Sequence, residues 1–368
     1  MNFALMTPIL VHIDACNIRE ASRIFQKKLE VSIMGFFEGK QVLIAGATGL
    51  VGSHLVERFM DMGTVKVVAL GRSELKIHRL FEKYHANPRF SIILQDASHP
   101  LLKFDTPFDF IINAIGGVSG SEISNSPVNI IESNLISTLN FLNFLRRQNE
   151  RSIVKGKLII LSSATVYSTD IQHNNKVREE NTESTNPLDA KNASYSETKR
   201  FLEVLGNSYY RQYGVECVAV RPSYIYGYSY FNADTAFYQF IKKAMALNDI
   251  SIQASLLPRR DNIYIDDLID GLLCVCEHGV PGEAYNISSN GQLGNFAAIN
   301  EIAEIIVKAV NECLGSQIKV EYPNGTTDIG GGLLLDNSKL TKLGWELKND
   351  IYSGITKTVD KYLHALNI

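Results

Sequence analysis

The stretch Lys40-Gln-Val-Leu-Ile-Ala-Gly-Ala-Thr-Gly-Leu-Val-Gly-Ser-His54 limits the possible folds of this chain more than any other segment. Residues 42–45 are an apolar run of the length of a buried parallel strand. Gly46, Gly49 and Gly52 follow at once, and residues 54–60 continue with helical periodicity. A strand that passes through glycines into a helix makes a phosphate site. Gly46 permits the tight turn, Gly49 lets a pyrophosphate approach the backbone, and Gly52 lets the helix pack on the strand. The unpaired amides and positive dipole end of that helix then face the phosphates. Thr48, Leu50 and Val51 fill the same turn and are expected among the cofactor contacts.

Downstream, strands and helices alternate. Strands are predicted at 65–70, 90–94, 108–113, 157–161 and 215–220, with a helix over 130–147 between the fourth and fifth strands. Alternation at this pitch argues for an α/β fold, a doubly wound parallel sheet with helices on both faces. Ligands of such sheets bind at the carboxyl ends of strands, where strand order reverses. Past Arg221 the pattern loosens into aromatic and polar loops over 223–231 and a helix over 236–246. We read residues 38–222 as the dinucleotide-binding domain and 223–368 mostly as a smaller, interleaved substrate lobe, with 260–278 returning to the main sheet. Residues 1–37 form an N-terminal helical extension. There Ile18, Ala21, Ile24, Phe25 and Leu29 recur at helical spacing from Asn17 to about Val31. Its apolar stripe must cover either the body of the same chain or a partner subunit.

With 368 residues, 45% of them hydrophobic and 20% charged, the chain can bury a sizeable core. A net charge of −3 and no long Lys/Arg cluster argue against nucleic-acid binding. The apolar segment 3–11 has no basic region before it and no small-residue cleavage site after it, so it does not read as a signal peptide. No run approaches the length of a membrane span. Cys16, Cys217, Cys274, Cys276 and Cys313 are odd in number and never spaced C-x-x-C. Cys274 and Cys276 lie in an apolar stretch that reads as buried helix. Reduced thiols, no metal site and a cytoplasmic location are therefore expected.

The cofactor can be narrowed. An acidic residue at the end of the second strand would hold a free ribose 2′-hydroxyl. Here that strand ends Leu70-Gly71-Arg72-Ser73, without an acid. A guanidinium beside a hydroxyl suits a 2′-phosphate, which favours NADP over NAD. Stacked on adenine or left in solvent, Arg72 would leave NAD tolerated. Asp96, after the third strand, is placed to meet the adenine edge or to form a surface turn. Ala114, after the fourth strand, completes the expected cofactor contacts.

Two later stretches carry chemistry. The fifth strand runs into Leu161-Ser-Ser-Ala-Thr-Val-Tyr167, which sets hydroxyls at its carboxyl end. Tyr195-Ser-Glu-Thr-Lys199 then opens a helix, and its first and last residues share one face. A phenol near pKa 10 is a poor base at neutral pH. A nearby ammonium is expected to favour the phenolate and bring that pKa down. Tyr195 can then take a proton from a sugar hydroxyl or return one to a ketone, and Lys199 can also hold the nicotinamide ribose.

From about Gly39 to its C-terminus the chain resembles the extended short-chain dehydrogenase/reductases of the NAD(P)-dependent nucleotide-sugar epimerase/dehydratase family. The matching motifs are residues 46–52, 162–167 and 195–199, together with Arg221-Pro-Ser-Tyr-Ile-Tyr-Gly227 and Arg260-Asp-Asn-Ile-Tyr-Ile-Asp-Asp267. The resemblance implies Ser163 as the catalytic hydroxyl, Tyr195 as acid/base and Lys199 as its partner. Thr165 would add a second hydrogen bond to the reacting oxygen, Asn134 would brace the site, and Arg260 would grip the substrate diphosphate. It also implies a nucleotide-sugar substrate and a homodimer.

The departures from the family pattern are informative. Its 4,6-dehydratases carry an Asp-Glu pair after the catalytic hydroxyl, where this chain has Ala164 and Thr165, which argues against dehydration. Tyr224 stands where asparagine is usual on the substrate side. Gly116-Gly-Val-Ser-Gly120 replaces a small apolar turn, either to admit a ligand closely or as a flexible loop. Two reactions remain. One is reduction of a 4-keto-6-deoxy sugar nucleotide at C4, favoured by the Gly71-Arg72 end; the other is 4-epimerisation, favoured by Ser-Ala-Thr-Val-Tyr. A non-catalytic NADP-binding protein would have no need of Ser163, Tyr195 and Lys199 together.

Overall fold

In a computed structural model the protein is described over residues 33–365, apart from 102–105, 117–119, 168–175, 182–186, 232–234, 254–255, 258, 324, 326 and 329–331. The helix expected over Asn17 to Val31, and Cys16, lie outside the described residues. Residues 1–38 form one compact unit and Gly39–Ile368 the other.

The glycine-rich stretch begins with β1 (Gln41–Ala45), whose Val42, Leu43, Ile44 and Ala45 are fully enclosed. Burial on both faces explains why these residues are uniformly apolar rather than alternating. Then follow α1 (Leu50–Met62), β2 (Lys66–Gly71), α2 (Glu74–Phe81), β3 (Phe90–Leu94) and β4 (Phe110–Asn113). After α3 (Gly120–Asn125) and the long α4 (Pro127–Arg151) come β5 (Lys157–Leu161), α5 (Ala193–Tyr213) and β6 (Glu216–Pro222). The second half contributes β7 (Tyr224–Tyr226), α6 (Ala236–Met245), β8 (Ile250–Ser251), β9 (Leu256–Leu257), β10 (Arg259–Tyr264), α7 (Ile265–His278), β11 (Ala284–Ile287), β12 (Phe296–Ala298), α8 (Ile299–Leu314), α9 (Ser338–Thr341) and α10 (Ile351–Ala365).

The seven-stranded sheet has the order β11-β6-β5-β4-β1-β2-β3, and every pairing in it is parallel. The α/β doubly wound fold read from the sequence is therefore the fold of the chain. Strand order reverses between β1 and β4, which opens a crevice at their carboxyl ends. On one face α4 and α5 cover the sheet through Phe141, Leu142, Leu145 and Leu202 against Leu43, Leu158 and Ile160. Elsewhere α7 lies against α1, β6 and β11.

The segment 260–278 returns to the large sheet only through its helix. β10 instead pairs with β7 and β12 in a separate three-stranded sheet, and the strand that completes the large sheet is β11. Arg259 is only half-buried and Arg260 is exposed, which a strand covered by helices on both faces does not allow, whereas Tyr285, Asn286 and Ile287 are buried beside β6. Cys274 and Cys276 are buried in α7, and burial pushes both thiols up to about 12, so they pack as small hydrophobes. Among the described residues no helix is long and apolar enough to cross a membrane, and no three His, Cys, Asp or Glu side chains gather as metal ligands.

Candidate active site

The crevice begins at the glycine turn. Gly46 has φ +75° and its amide donates to the Leu70 carbonyl at 3.1 Å. A side chain there would be strained and would meet the Ala114 carbonyl at 3.0 Å, so the turn joins the ends of β1, β2 and β4. At Gly52 a Cβ would lie 2.2 Å from the Gly46 carbonyl oxygen, which is why the helix can begin so close to the strand. Gly49 differs, since its nearest neighbour is the Gly46 carbonyl at 3.3 Å and the position is exposed. Among the described residues only that oxygen comes close, on the inner side of the turn, which leaves the exposed backbone accessible to a ligand.

Helix α1 has no side-chain cap at Gly49 and no acidic residue in its first turn. Its leading amides and dipole are thus uncompensated and fit a pyrophosphate. Thr48 lies beside Gly71, Leu50 is half-buried, and Val51 is buried. Of the residues expected to meet the cofactor, Thr48 and the three glycines lie along the turn, whereas Val51 packs inward.

At the ends of β2 and β3, Arg72 and Asp96 meet each other, Nη1 to Oδ2 at 3.5 Å. Asp96 also accepts from the Ser98 amide at 2.9 Å, and that bond, followed by Arg72, holds its carboxyl below the usual range. Ser73 caps α2 by accepting from the Lys76 amide at 3.3 Å, which leaves its hydroxyl proton to donate outward. Arg72 is 78% exposed at its side chain.

The candidate reacting groups come from two elements. Ser163 sits at the end of β5, ahead of a 3₁₀ turn (Ala164–Val166), and its Oγ accepts from the Thr165 amide at 3.2 Å and the Thr165 hydroxyl at 3.0 Å. Tyr195 and Lys199 come from the first two turns of α5. Lys199 Nζ lies 5.7 Å from the Tyr195 ring centroid, and the Ser163 hydroxyl pulls the phenol's pKa downward. Lys199 itself donates to the carbonyls of Leu161 at 2.8 Å and Ile115 at 3.1 Å, so it ties α5 to the ends of both β5 and β4.

The expected electrostatics are reversed by burial. Lys199 is among the most deeply enclosed side chains, and desolvation takes its pKa down to about 7. The Tyr195 phenol moves upward instead, because desolvation outweighs the downward pull of the Ser163 hydrogen bond. Tyr195 is therefore held protonated, and the lowering by an ammonium expected from the i,i+4 spacing is not the dominant effect. That spacing fixes a shared face but says nothing of how much water the face loses.

Asn134 is buried on α4, donates to the Ile130 carbonyl at 2.8 Å, and turns its Oδ1 against Gly116, with no hydrogen-bond partner for that oxygen among the described residues. Gly116 has φ +99°, and a Cβ there would fall 2.1 Å from the same oxygen. The first glycine of the 116–120 segment is thus a close-approach site; 117–119 lie outside the described residues. On the substrate side, the Arg260 guanidinium stacks 4.5 Å from the centroid of Tyr224, because β10 pairs with β7 in register Asn262 to Tyr224. Both side chains are exposed.

Sequence reasoning missed the groups beneath the hydroxyl turn: Ser162, Glu203, Arg221 and Tyr167, which form one buried hydrogen-bonded chain. A signal existed, because Glu203 follows Lys199 at the same four-residue interval by which Lys199 follows Tyr195.

A doubly wound sheet with an uncapped glycine turn at its switch point and a Ser-Tyr-Lys group facing it defines a nicotinamide-dependent short-chain dehydrogenase/reductase type of protein. The family model "NAD dependent epimerase/dehydratase family" matches residues 42–288, and the chain belongs to that family. Among its relatives, "UDP-glucuronic acid decarboxylase 3" of Arabidopsis thaliana is 28% identical over 331 residues, 89% of this chain and 90% of the relative. "GDP-L-fucose synthase" of Sinorhizobium fredii is 26% identical over 342 residues, 90% and 98% of the two chains. Among solved structures, a UDP-N-acetylglucosamine 4-epimerase from Methanobrevibacter ruminantium superposes with a TM-score of 0.71 at 22% identity, covering 89% and 99% of the two chains.

Proposed function

We propose that this protein reduces C4 of a 4-keto-6-deoxy sugar nucleotide, with NADPH as the preferred cofactor. The observation that carries the reading is the Tyr195 phenol set beside Lys199, whose Nζ lies 5.7 Å from the ring centroid, with desolvation holding the phenol protonated. A protonated phenol is the acid that ketone reduction needs, and a poor base for alcohol oxidation. The bound nicotinamide supplies the hydride. Tyr195 gives its proton to the oxygen at C4, Ser163 and Thr165 supply hydroxyls to the same oxygen, and Lys199, with a pKa of about 7, can return a proton near neutral pH. Arg72 and Ser73 support the choice of NADP, since a 2′-phosphate would take the guanidinium in competition with Asp96. The substrate class is supported by the names of the relatives, which all concern nucleotide-diphosphate sugars. We place the diphosphate at Arg260, with Tyr224 beneath its guanidinium.

A second reading, 4-epimerisation, is favoured by the coupled Ser163 and Thr165 hydroxyls, which can accept or donate in either direction. Incubation with NADPH and a panel of 4-keto and ordinary sugar nucleotides separates the two. Net NADPH oxidation supports reduction; exchange of isomers without net oxidation overturns it in favour of the epimerase. We further infer a homodimer through the outer faces of α4 and α5, where Val128 is 61% exposed and Phe201 and Val204 are each 51% exposed.

A further inference from the structure

The turn that carries Ser163 and Thr165 is held at both ends by one ion pair. At its start, the Ser162 hydroxyl donates to Glu203 Oε1 at 2.6 Å. Glu203 is gripped by Arg221, Nε to Oε1 at 2.9 Å and Nη2 to Oε2 at 2.7 Å. At the far end of the turn, Arg221 Nη1 donates to the Tyr167 hydroxyl at 2.8 Å and to the Glu179 carbonyl at 2.9 Å. Tyr167 in turn donates to Asn286 on β11 at 2.6 Å. Both charged side chains are enclosed, 9% exposed for Glu203 and 4% for Arg221. The loop of contacts Ser162–Glu203–Arg221–Tyr167 therefore closes around the catalytic hydroxyls without touching them.

The same helix that carries Tyr195 and Lys199 supplies Glu203, so the three occupy one face at four-residue intervals. Two of them reach consecutive residues at the end of β5: Lys199 meets the Leu161 carbonyl and Glu203 meets Ser162, the residue before Ser163. Fixing α5 to the strand end at two adjacent points sets how Tyr195 stands relative to Ser163, on which proton transfer to a shared oxygen depends.

We propose that Glu203 and Arg221 are positioning residues, acting through Ser162 and Tyr167 to hold the Ser163–Thr165 turn in register with Tyr195. A bidentate buried pair suits this role, because guanidinium and carboxylate meet in a fixed plane. The proposal rests on the functional reading only in its kinetic consequence; its structural consequence can be measured without substrate.

The test uses Ser162→Ala as the principal variant, since it cuts the tie and leaves the Glu203–Arg221 pair intact, whereas Glu203→Gln leaves Arg221 buried without its counter-charge and can lose the fold. Hydrogen exchange of the peptide spanning 162–167 is followed in the ligand-free protein. Exchange of that peptide about tenfold faster in Ser162→Ala, with the β1 and β4 peptides unchanged, is the expected result. NADPH oxidation is then followed with UDP-4-keto-6-deoxyglucose. In Ser162→Ala, kcat should fall about tenfold or more, with KM and the NADPH dissociation constant within about threefold of the parent. In a Ser163→Ala background the same substitution should cost no more than about twofold, because its effect passes through Ser163. Displacing the Ser163 hydroxyl also removes its downward pull on the Tyr195 pKa, so the alkaline limb of kcat should move to higher pH. Unchanged exchange of the 162–167 peptide overturns the proposal whatever the activity. Unchanged kcat and pH profile with only a lower melting temperature assigns the network to stability alone, which also overturns it. If the parent enzyme does not turn the probe over, the functional reading fails for that probe, and the exchange data still decide the clamp.

Discussion

Replacing Lys199 by methionine tests the electrostatic account of the site through folding rather than turnover. Burial lowers the Lys199 pKa from 10.5 to about 7, so between those values the unfolded chain carries a proton that the folded chain lacks. Stability then rises with pH across that window, since the unfolded state binds more protons. The sign is opposite to that of a lysine gaining a carboxylate partner. Charging this amine costs the folded state stability, in full below the folded pKa, and the cost is relieved as pH climbs toward 10.5. Integrated from about pH 7 to about pH 9, the relief is about 2 kcal/mol; below about pH 7 it changes by less than about 0.5 kcal/mol. Lys199→Met abolishes this dependence. It also strips the donor from the Leu161 and Ile115 carbonyls, a loss that does not depend on pH. The diagnostic quantity is therefore the change with pH of the stability difference, measured by urea unfolding of both proteins at about pH 6, 7, 8 and 9. The parent should gain about 2 kcal/mol on the variant between about pH 7 and 9. Parallel stability curves would refute the claim that this amine is desolvated in the folded protein.

Three further outcomes follow from the same geometry. Tyr195→Phe should lower kcat by about a hundredfold or more while NADPH binding, followed by fluorescence titration, stays within about twofold; unchanged turnover would remove Tyr195 as the acid. Arg72→Ala should weaken NADP binding about tenfold or more and leave NAD within about twofold, measured by calorimetry, and equal losses would count against the 2′-phosphate site. Arg260→Ala should raise KM for a diphosphate-linked sugar about tenfold with kcat little changed; an unaltered KM would mean that the diphosphate lies elsewhere.

Much of the framework is legible in the sequence. The apolar run at 42–45, followed by glycines and a helical pattern, has few solutions other than a parallel strand entering a phosphate-binding helix, because each glycine answers a separate local requirement. Strand positions are readable for the same reason: β3 and β5 fall at the predicted residues, and the ends of β1, β2, β4 and β6 shift by one or two positions. Ser163, Tyr195 and Lys199 could be named because their order and spacing are local facts.

Other features depend on burial and on long-range neighbours, which sequence spacing does not encode. Four-residue spacing placed Lys199 beneath Tyr195, but only the packed structure shows that desolvation dominates both groups and keeps the phenol protonated. The meeting of Arg72 with Asp96 and of Arg260 with Tyr224 follows from which strands lie side by side, β2 with β3 and β10 with β7. The Glu203–Arg221 pair joins residues 18 apart on a helix and the next strand, and reaches Tyr167 54 positions before the arginine. Sequence alone determined the family and marked the glycine turn and the candidate residues Ser163, Tyr195 and Lys199, because those are set by local backbone and spacing. The protonation states and the supports beneath the hydroxyl turn were decided only by tertiary structure, since charge and water exclusion there come from chain segments far apart in sequence.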